Sequence, residues 1–189
     1  EKTGAAKDAY NRVSLSMKDL VEQWNQATGR QDPVIADALA SGYTDGERNA
    51  LAILVELAAQ DPYQAGRFAQ FVDESTRIIP AAVQALAEGD LPRFGSLVDE
   101  SMAGAVTGLG NQIPETIALA RLAREHGALA ASAFGAGFGG SVYALVPTTD
   151  AEQFADTWLK AYAHEFPEAA ARATVLATRP DTPARRLQG

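Results

Sequence analysis

The sequence predicts an α+β domain in which a helix-rich layer lies against a small, mainly antiparallel sheet. Over the first 127 residues, apolar side chains recur every three or four positions, which is typical of amphipathic helices. The period then changes, and two short apolar runs, Ala128–Phe134 and Ser141–Val146, flank a glycine-rich segment. A further helix and a third predicted strand, Ala173–Thr178, follow. Helices grouped ahead of strands joined by a tight turn indicate helices on one side of a narrow sheet.

The first helices are predicted from spacing and capping residues. An apolar stripe at intervals of three and four defines the first helix, which Gly29 ends. Thr44 and Glu47 have the spacing of a capping box, in which each side chain satisfies an exposed amide, ahead of a helix through Leu51. The stripe of the first helix consists of Ala6, Tyr10, Val13, Met17, Leu20 and Trp24.

Proline, aspartate and glycine mark the later helix boundaries. Pro80 is expected to kink the helix that contains it, because proline lacks an amide hydrogen and crowds the preceding turn. Asp90 is expected to cap the next helix, and Gly104–Gly110 reads as a loose segment. Pro114 is expected to begin another helix, which Gly127 ends.

Composition excludes several classes of protein. The chain has 189 residues, 47% of them apolar, and a net charge of −8, so a nucleic-acid partner is not expected. It contains no cysteine, which excludes disulfides and thiolate metal sites. No run approaches the roughly 20 apolar residues of a membrane helix. We therefore expect a cytoplasmic protein without a membrane partner.

The glycine-rich segment Gly135–Gly140 is the strongest local signal, with four glycines in six residues. Glycine adopts positive φ without a steric penalty, so this turn is either a tight structural corner or a place where amides meet an anion. The segment also matches the GxGxxG dinucleotide pattern, which requires a helix directly after it. The strand-like run that begins at Ser141 follows instead, so the dinucleotide interpretation is disfavoured.

The remaining polar residues give weaker signals. His126 and His164 lie at helix ends, and neither has a second ligand or a nucleophile at a recognisable spacing. Tyr10 lies on the stripe of the first helix, where core packing with a hydrated hydroxyl is the simplest interpretation. The residues alone thus predict one turn that can bind an anion, and no metal site.

Longer stretches of the sequence resemble a known family. The run SAFGAGFGGSVYALV, Ser132–Val146, resembles the third conserved motif of galactokinases, which belong to the GHMP family of ATP-dependent small-molecule kinases. Glu88–Ser101 and Ile113–Glu115 resemble the galactokinase sequence that precedes this motif. Tyr10-Asn11 is similar to the family's Tyr-Asn-x-Arg element. The resemblance extends over nearly the whole chain in the family's order.

The resemblance implies a fold and a role. Residues 1–189 would form a GHMP kinase C-terminal domain, a ferredoxin-like α+β fold, and Tyr10 would contact a sugar. The parent protein would transfer the γ-phosphoryl group of ATP, with Mg²⁺, to a sugar hydroxyl. The family's catalytic aspartate and phosphate loop belong to an N-terminal half that these residues do not match, so no catalytic residue is assigned here. That half would be the partner of this chain, whose start at Glu1 fits a piece of a longer protein. The residues expected near the phosphate are Gly135, Ala136, Gly137, Phe138, Gly139 and Gly140.

Three departures from the family pattern keep a second interpretation open. Phe134 stands where the family usually has serine or threonine, and Met102 stands where it has histidine. Arg12 lies one position before the slot of the family's arginine, which Val13 occupies. A non-catalytic binding module or a structural module of the same fold is therefore the alternative.

Overall fold

The computed structural model describes the backbone of residues 4–180 and the side chains of residues 8–180. Within these bounds the chain forms nine α-helices, two short antiparallel strand pairs, two π-helical turns and one 3₁₀ turn. The helices are α1 (Gly4–Thr28), α2 (Ile35–Ala40), α3 (Ala50–Ala58), α4 (Pro62–Asp73), α5 (Ile79–Glu88), α6 (Leu91–Gly104), α7 (Pro114–Glu125), α8 (Ala151–Glu165) and α9 (Pro167–Ala170). The strands are β1 (Thr44–Asp45), β2 (Arg48–Asn49), β3 (Ala130–Phe134) and β4 (Ser141–Leu145), the π-helical turns are Glu74–Ile78 and Ala105–Leu109, and the 3₁₀ turn is Thr148–Asp150. The predicted class, a helix-rich fold with small antiparallel sheets, is confirmed.

The first four helices enclose one hydrophobic cluster. Its largest fully buried side chains are Trp24, Leu20 and Leu54, contributed by α1 and α3. The connector after α1 is held by Asp32, whose carboxylate accepts hydrogen bonds from the Trp24 Nε1 at 2.7 Å and from both Nε and Nη2 of Arg30. The hydrogen bonds from Arg30, followed by that from Trp24, lower the pKa of Asp32 from 3.8 to about 2.

Helices α4 and α5 form one continuous helix interrupted by the π-helical turn Glu74–Ile78. Asp61 caps its start, accepting hydrogen bonds from the amides of Tyr63 and Gln64. In the π-helical turn the Ile79 amide donates to the Glu74 carbonyl, five residues earlier. Where the sequence predicted a kink at Pro80, the structure thus places this widened turn just before the proline.

Helix α6 brings the helical layer against β3. Asp90 caps α6 by accepting from the Arg93 amide at 3.1 Å, as predicted. At Gly95 the helix backbone lies so close to β3 that a Cβ would be 3.3 Å from the Arg124 Nη1 and closer still to the Leu129 carbonyl. Only glycine allows this approach.

The hairpin of β3 and β4 packs on α6 and α7, and α8 covers α7. Alanines line much of this second cluster, so the helix backbones come close to the sheet. Trp158 of α8 is buried there, and its Nε1 donates to the Leu119 carbonyl of α7 at 2.9 Å. The buried members of the cluster are Met102, Ala120, Leu122, Ala123, Ala128, Ala131, Phe154, Trp158 and Tyr162.

The predicted capping box of Thr44 and Glu47 is wrong. Thr44 instead pairs with Asn49 across the hairpin of β1 and β2, which turns at Gly46 with a φ of 62°. Asn49 caps α3 by accepting a hydrogen bond from the Ala52 amide at 2.9 Å. The helix therefore begins later than the pattern indicated.

Two further predictions need correction. The segment Gly104–Gly110 is not loose, because the end of α6 and the π-helical turn Ala105–Leu109 occupy it. The predicted strand Ala173–Thr178 is not formed. Leu176 is 85% exposed, and no described strand pairs with this segment. Residues of high β-propensity form a strand only where a neighbouring strand accepts their hydrogen bonds.

Across residues 4–180, no helix combines the length with the apolar character that crossing a bilayer requires.

Candidate functional site

The glycine-rich segment forms a six-residue turn between β3 and β4. The strands pair antiparallel from Ala130 opposite Leu145 to Phe134 opposite Ser141. Five of the six turn residues have positive φ, including Phe138 at 59°, which is a rare value for a residue with a side chain. Since β4, and not a helix, follows the turn, the structure confirms the reason for disfavouring a dinucleotide site.

Most amides of the turn have no acceptor. The Phe138 amide donates to the Asn111 carbonyl at 2.5 Å. The amides of the other five turn residues, 135–137, 139 and 140, find no hydrogen-bond acceptor in the described part of the chain. Consecutive amides in left-handed or turn conformations form concave sites that bind anions. The turn can therefore donate several hydrogen bonds to a phosphate or carboxylate.

The turn rests on a loop, residues 110–113, which precedes α7. Asn111 is 6% exposed, and besides its carbonyl it offers its side-chain Nδ2, which lies 3.5 Å from the Ala136 carbonyl. A Cβ at Gly137 would lie 2.5 Å from that Nδ2 and 2.6 Å from the Asn111 Cγ. A Cβ at Gly139 would lie 3.2 Å from Ile113 Cδ1, whereas one at Gly135 would meet open space. Gly137 is therefore the position where turn and loop are in closest contact.

The loop is held by side-chain hydrogen bonds of its own. Gln112 Nε2 donates to Asn111 Oδ1 at 2.8 Å, and Thr116 Oγ1 lies 2.9 Å from Gln112 Oε1. The Ile113 amide donates to Thr116 Oγ1, which closes the first turn of α7 at Pro114 as predicted. The position of Asn111 is thus coupled to the start of a regular helix.

A second anchor joins the other end of the loop to α4. The Tyr63 hydroxyl donates to the Leu109 carbonyl at 3.1 Å. The guanidinium carbon of Arg12 lies 3.9 Å from the centre of the Tyr63 ring. Burial raises the pKa of Tyr63, and the nearby charges of Arg12 and Arg67 only partly oppose this. Arg12, one of the departures from the family pattern, therefore stacks on an aromatic ring.

Two aromatic residues stand beside the turn. Phe134 is 56% exposed and Tyr143 is 40% exposed, and their ring centres are 6.4 Å apart. Burial raises the pKa of Tyr143. The residue before the first turn glycine thus presents an apolar ring to solvent.

The other residues singled out in the sequence lie elsewhere. Tyr10 is 47% exposed on α1, which packs on α2, α3 and α4. His126 follows α7 and His164 lies in the last turn of α8. In the described part of the chain, no three His, Asp or Glu side chains form a group that could hold a metal ion.

Asn111, Gln112 and Thr116 were missed by the sequence interpretation. They lie about 25 residues before the turn, and neither spacing nor composition links them to it. The polar pair Asn111-Gln112, two residues before Pro114, was the available signal, but it indicates only a loop ahead of a helix.

A family comparison identifies the class of this fold. Residues 82–164 match the family described as GHMP kinases C terminal. These residues include α6, α7, the hairpin and nearly all of α8. This part of the chain is therefore similar to the C-terminal domain of GHMP kinases.

Within that class the chain is similar to galactokinases. It is 38% identical over 107 residues to a galactokinase of Lacticaseibacillus casei and to one of Lacticaseibacillus paracasei. Each match covers 54% of this chain and 26% of the relative, so the matched part is about a quarter of those proteins. The crystal structure of Lactococcus lactis galactokinase complexed with galactose matches with a TM-score of 0.68 at 22% identity, covering 88% of this chain and 40% of that one. The structural match shows the same fold.

Proposed function

We propose that this chain is the C-terminal domain, spanning residues 1–189, of an ATP-dependent sugar kinase of the galactokinase type. The parent protein transfers the γ-phosphoryl group of ATP to a sugar hydroxyl. The observation that supports this most directly is the turn of residues 135–140, five of whose amides have no acceptor among the described residues, in a chain similar to galactokinases. Phosphoryl transfer depends on positioning and on stabilising charge, which such donors supply.

The donors of the turn fit a phosphate group. Gly135, Ala136 and Gly140 are exposed, so a ligand can reach this side of the turn. Backbone amides carry no charge of their own to be neutralised, and they donate to phosphate oxygens as they do in other anion nests. We assign these amides to the phosphates of ATP, or to the phosphoryl group in transfer.

Mg²⁺ does not fit the described residues in the same way, because they bring no cluster of carboxylates together. In this proposal Mg²⁺ arrives with the nucleotide and is held by the N-terminal half of the protein. That half also supplies the catalytic base, and Tyr10 contacts the sugar. A cytoplasmic location belongs to the proposal, since ATP is made available there.

An assay of ADP release tests the proposal. The whole protein that carries this chain is expected to release ADP with galactose or a related sugar as acceptor, and the 189-residue chain alone is expected to release none. Sugar phosphate is identified by mass spectrometry. Absence of sugar-dependent turnover in the whole protein would contradict the kinase proposal, and turnover by the isolated chain would contradict the division into two halves.

The exposed Phe134 favours a second candidate, a module that binds a small molecule without catalysis. An apolar ring at the first position before the turn offers a surface for a sugar face and no polar group for the transferred phosphoryl. Calorimetry on the whole protein separates the two candidates. Sugar binding without phosphate transfer would favour the module, and transfer at kinase-like rates would exclude it.

A further inference from the structure

The sequence of residues 135–140 does not by itself determine the conformation of the turn. Glycine gains the most backbone freedom on unfolding, so four glycines leave the turn with many accessible conformations. Phe138 holds a left-handed φ of 59°, which is unfavourable for a residue with a side chain. Such a conformation persists only where surrounding contacts impose it.

Asn111 supplies those contacts. All four of its polar groups are engaged: its amide with the Ala105 carbonyl, its carbonyl with the Phe138 amide, its Oδ1 with Gln112 and its Nδ2 with the Ala136 carbonyl. The carboxamide therefore bridges a loop fixed to α7 and the backbone of the turn. The close approach at Gly137 adds a steric limit on the same side.

This arrangement determines where the remaining turn amides point. The contacts of Asn111 lie at residues 136–138, in the middle of the turn, so the amides on either side keep a fixed direction relative to them. Without the carboxamide, the turn would retain only the hydrogen bond from Phe138 and could adopt other conformations.

We infer that Asn111 is a positioning residue that holds the turn in the conformation required for binding a phosphate. Gln112 supports it by fixing the orientation of the carboxamide. This inference rests on the proposed kinase function for its kinetic consequence, although the conformation of the turn can be measured without it.

The test compares three variants of the whole protein. Asn111→Ala is expected to lower kcat about 10- to 100-fold, since small displacements of positioned groups have effects of this size. The KM for the sugar should change less than about twofold. Gln112→Ala is expected to lower kcat by a smaller factor, because the carboxamide of Asn111 remains but loses its partner.

Asn25→Ala is the matched control. Asn25 is also a partly buried carboxamide that joins two parts of the backbone, through its Nδ2 to the Asp32 carbonyl and its Oδ1 to the Asp32 amide, both at 2.9 Å. It lies in the first helical cluster, so its loss should lower the melting temperature and leave kcat within about twofold. If Asn111→Ala and Asn25→Ala lower kcat equally at equal loss of stability, the inference is wrong.

A spectroscopic measurement separates this inference from the kinase proposal. In protein labelled with ¹⁵N-phenylalanine and ¹⁵N-glycine, Asn111→Ala should shift or broaden the amide resonances of Phe138 and the turn glycines, and Asn25→Ala should not. If the wild-type protein has no kinase activity, the kinase proposal fails and these resonances still decide the role of Asn111. Unchanged turn resonances in Asn111→Ala would overturn the inference in either case.

Discussion

Two irregular segments of this chain differ in how far their polar groups are hydrogen-bonded within the protein. In the connector after α1, Asp32 accepts hydrogen bonds from Trp24 and Arg30, and Asn25 bonds both the amide and the carbonyl of Asp32. In the turn of residues 135–140, one amide is paired through Asn111 and the other five have no acceptor among the described residues. Both segments rest on an asparagine, but the buried Asp32 of the connector is paired at its amide, its carbonyl and its carboxylate.

Under the proposed function, this difference separates a structural segment from a segment that binds a ligand. Folded proteins pair nearly all buried polar groups, and an unpaired one costs about 1–3 kcal/mol. The buried Asp32 of the connector meets that requirement through Arg30 and two residues of α1, Trp24 and Asn25. The turn leaves amides at the exposed residues Gly135, Ala136 and Gly140, where an anion can replace water. We therefore expect changes in the connector to affect stability alone, and changes in the turn to affect ligand binding as well.

The largest effect is expected from Gly137→Ala. The new Cβ would collide with Asn111, and alanine would have to hold a φ of 79°. Overpacking and the left-handed conformation together should lower the free energy of unfolding by about 3 kcal/mol, measured by urea denaturation. Activity per folded molecule should also fall at least tenfold.

Gly135→Ala is the control for this prediction. Its φ of 86° is also left-handed, but its Cβ would meet open space. The left-handed backbone alone is expected to lower the free energy of unfolding by about 1 kcal/mol. Equal losses for the two variants would show that the contact with Asn111 does not constrain the turn.

A smaller effect is expected in the connector from Trp24→Phe. The change removes the Nε1 donor to Asp32 and opens space around a fully buried side chain. A loss of about 2 kcal/mol in unfolding free energy is expected, with kcat unchanged. Reduced kcat in well-folded Trp24→Phe protein would mean that the connector is not purely structural.

A third irregular segment, the connection between α7 and β3, is held by an arginine side chain. Arg124 Nη1 donates to the carbonyls of Ala128 and Leu129, and its guanidinium also pairs with Asp99. Arg124→Ala should therefore cost about 1.5 kcal/mol, since hydrogen bonds from a charged donor are lost. Among the described residues, Arg121 of the same helix pairs only with the exposed side chains of Glu125 and Glu165, so Arg121→Ala should cost about 0.5 kcal/mol and less at high salt. Thermal melts at two salt concentrations check both values.

An effect of acid is expected as well. The pKa of Asp32 falls from 3.8 to about 2 on folding, so its ionised form stabilises the folded state above pH 4. That contribution is lost as the pH falls from about 4 toward 2. The difference in melting temperature between wild type and Asp32→Asn should therefore shrink over this range. A difference that stays constant from pH 6 to pH 2.5 would contradict the assigned pKa.

Local features of this fold were predictable because their partners are close in sequence. Asp90 and the Arg93 amide that it caps are three residues apart, and Gly127 lies just after His126, the C-cap of α7. The prediction of a capping box at Thr44 was wrong because β1 and β2 form a hairpin that uses the same residues. The prediction of a strand at Ala173–Thr178 was wrong because no described strand pairs with this segment.

In the candidate site, too, features that depend on nearby residues were predictable and features that depend on distant residues were not. The turn was predictable because glycine spacing alone indicates positive φ, and its phosphate role stays a prediction. Asn111 was not predictable, because its contact with Gly137 joins residues 26 positions apart and arises only when the loop and the hairpin come together. The exposed pair of Phe134 and Tyr143 depends on strand register, which the apolar pattern did not fix.

The π-helical turn at Glu74–Ile78 has a consequence for comparing this chain with its relatives. One extra residue in a helix rotates everything after it by about 100°. Upstream, Phe68 faces the first helical cluster, and downstream, Ile78 and Ala85 face a separate cluster with Leu97. A relative with a regular helix here would need a one-residue gap in its alignment. An alignment without that gap would assign the buried positions of α5 to the wrong face.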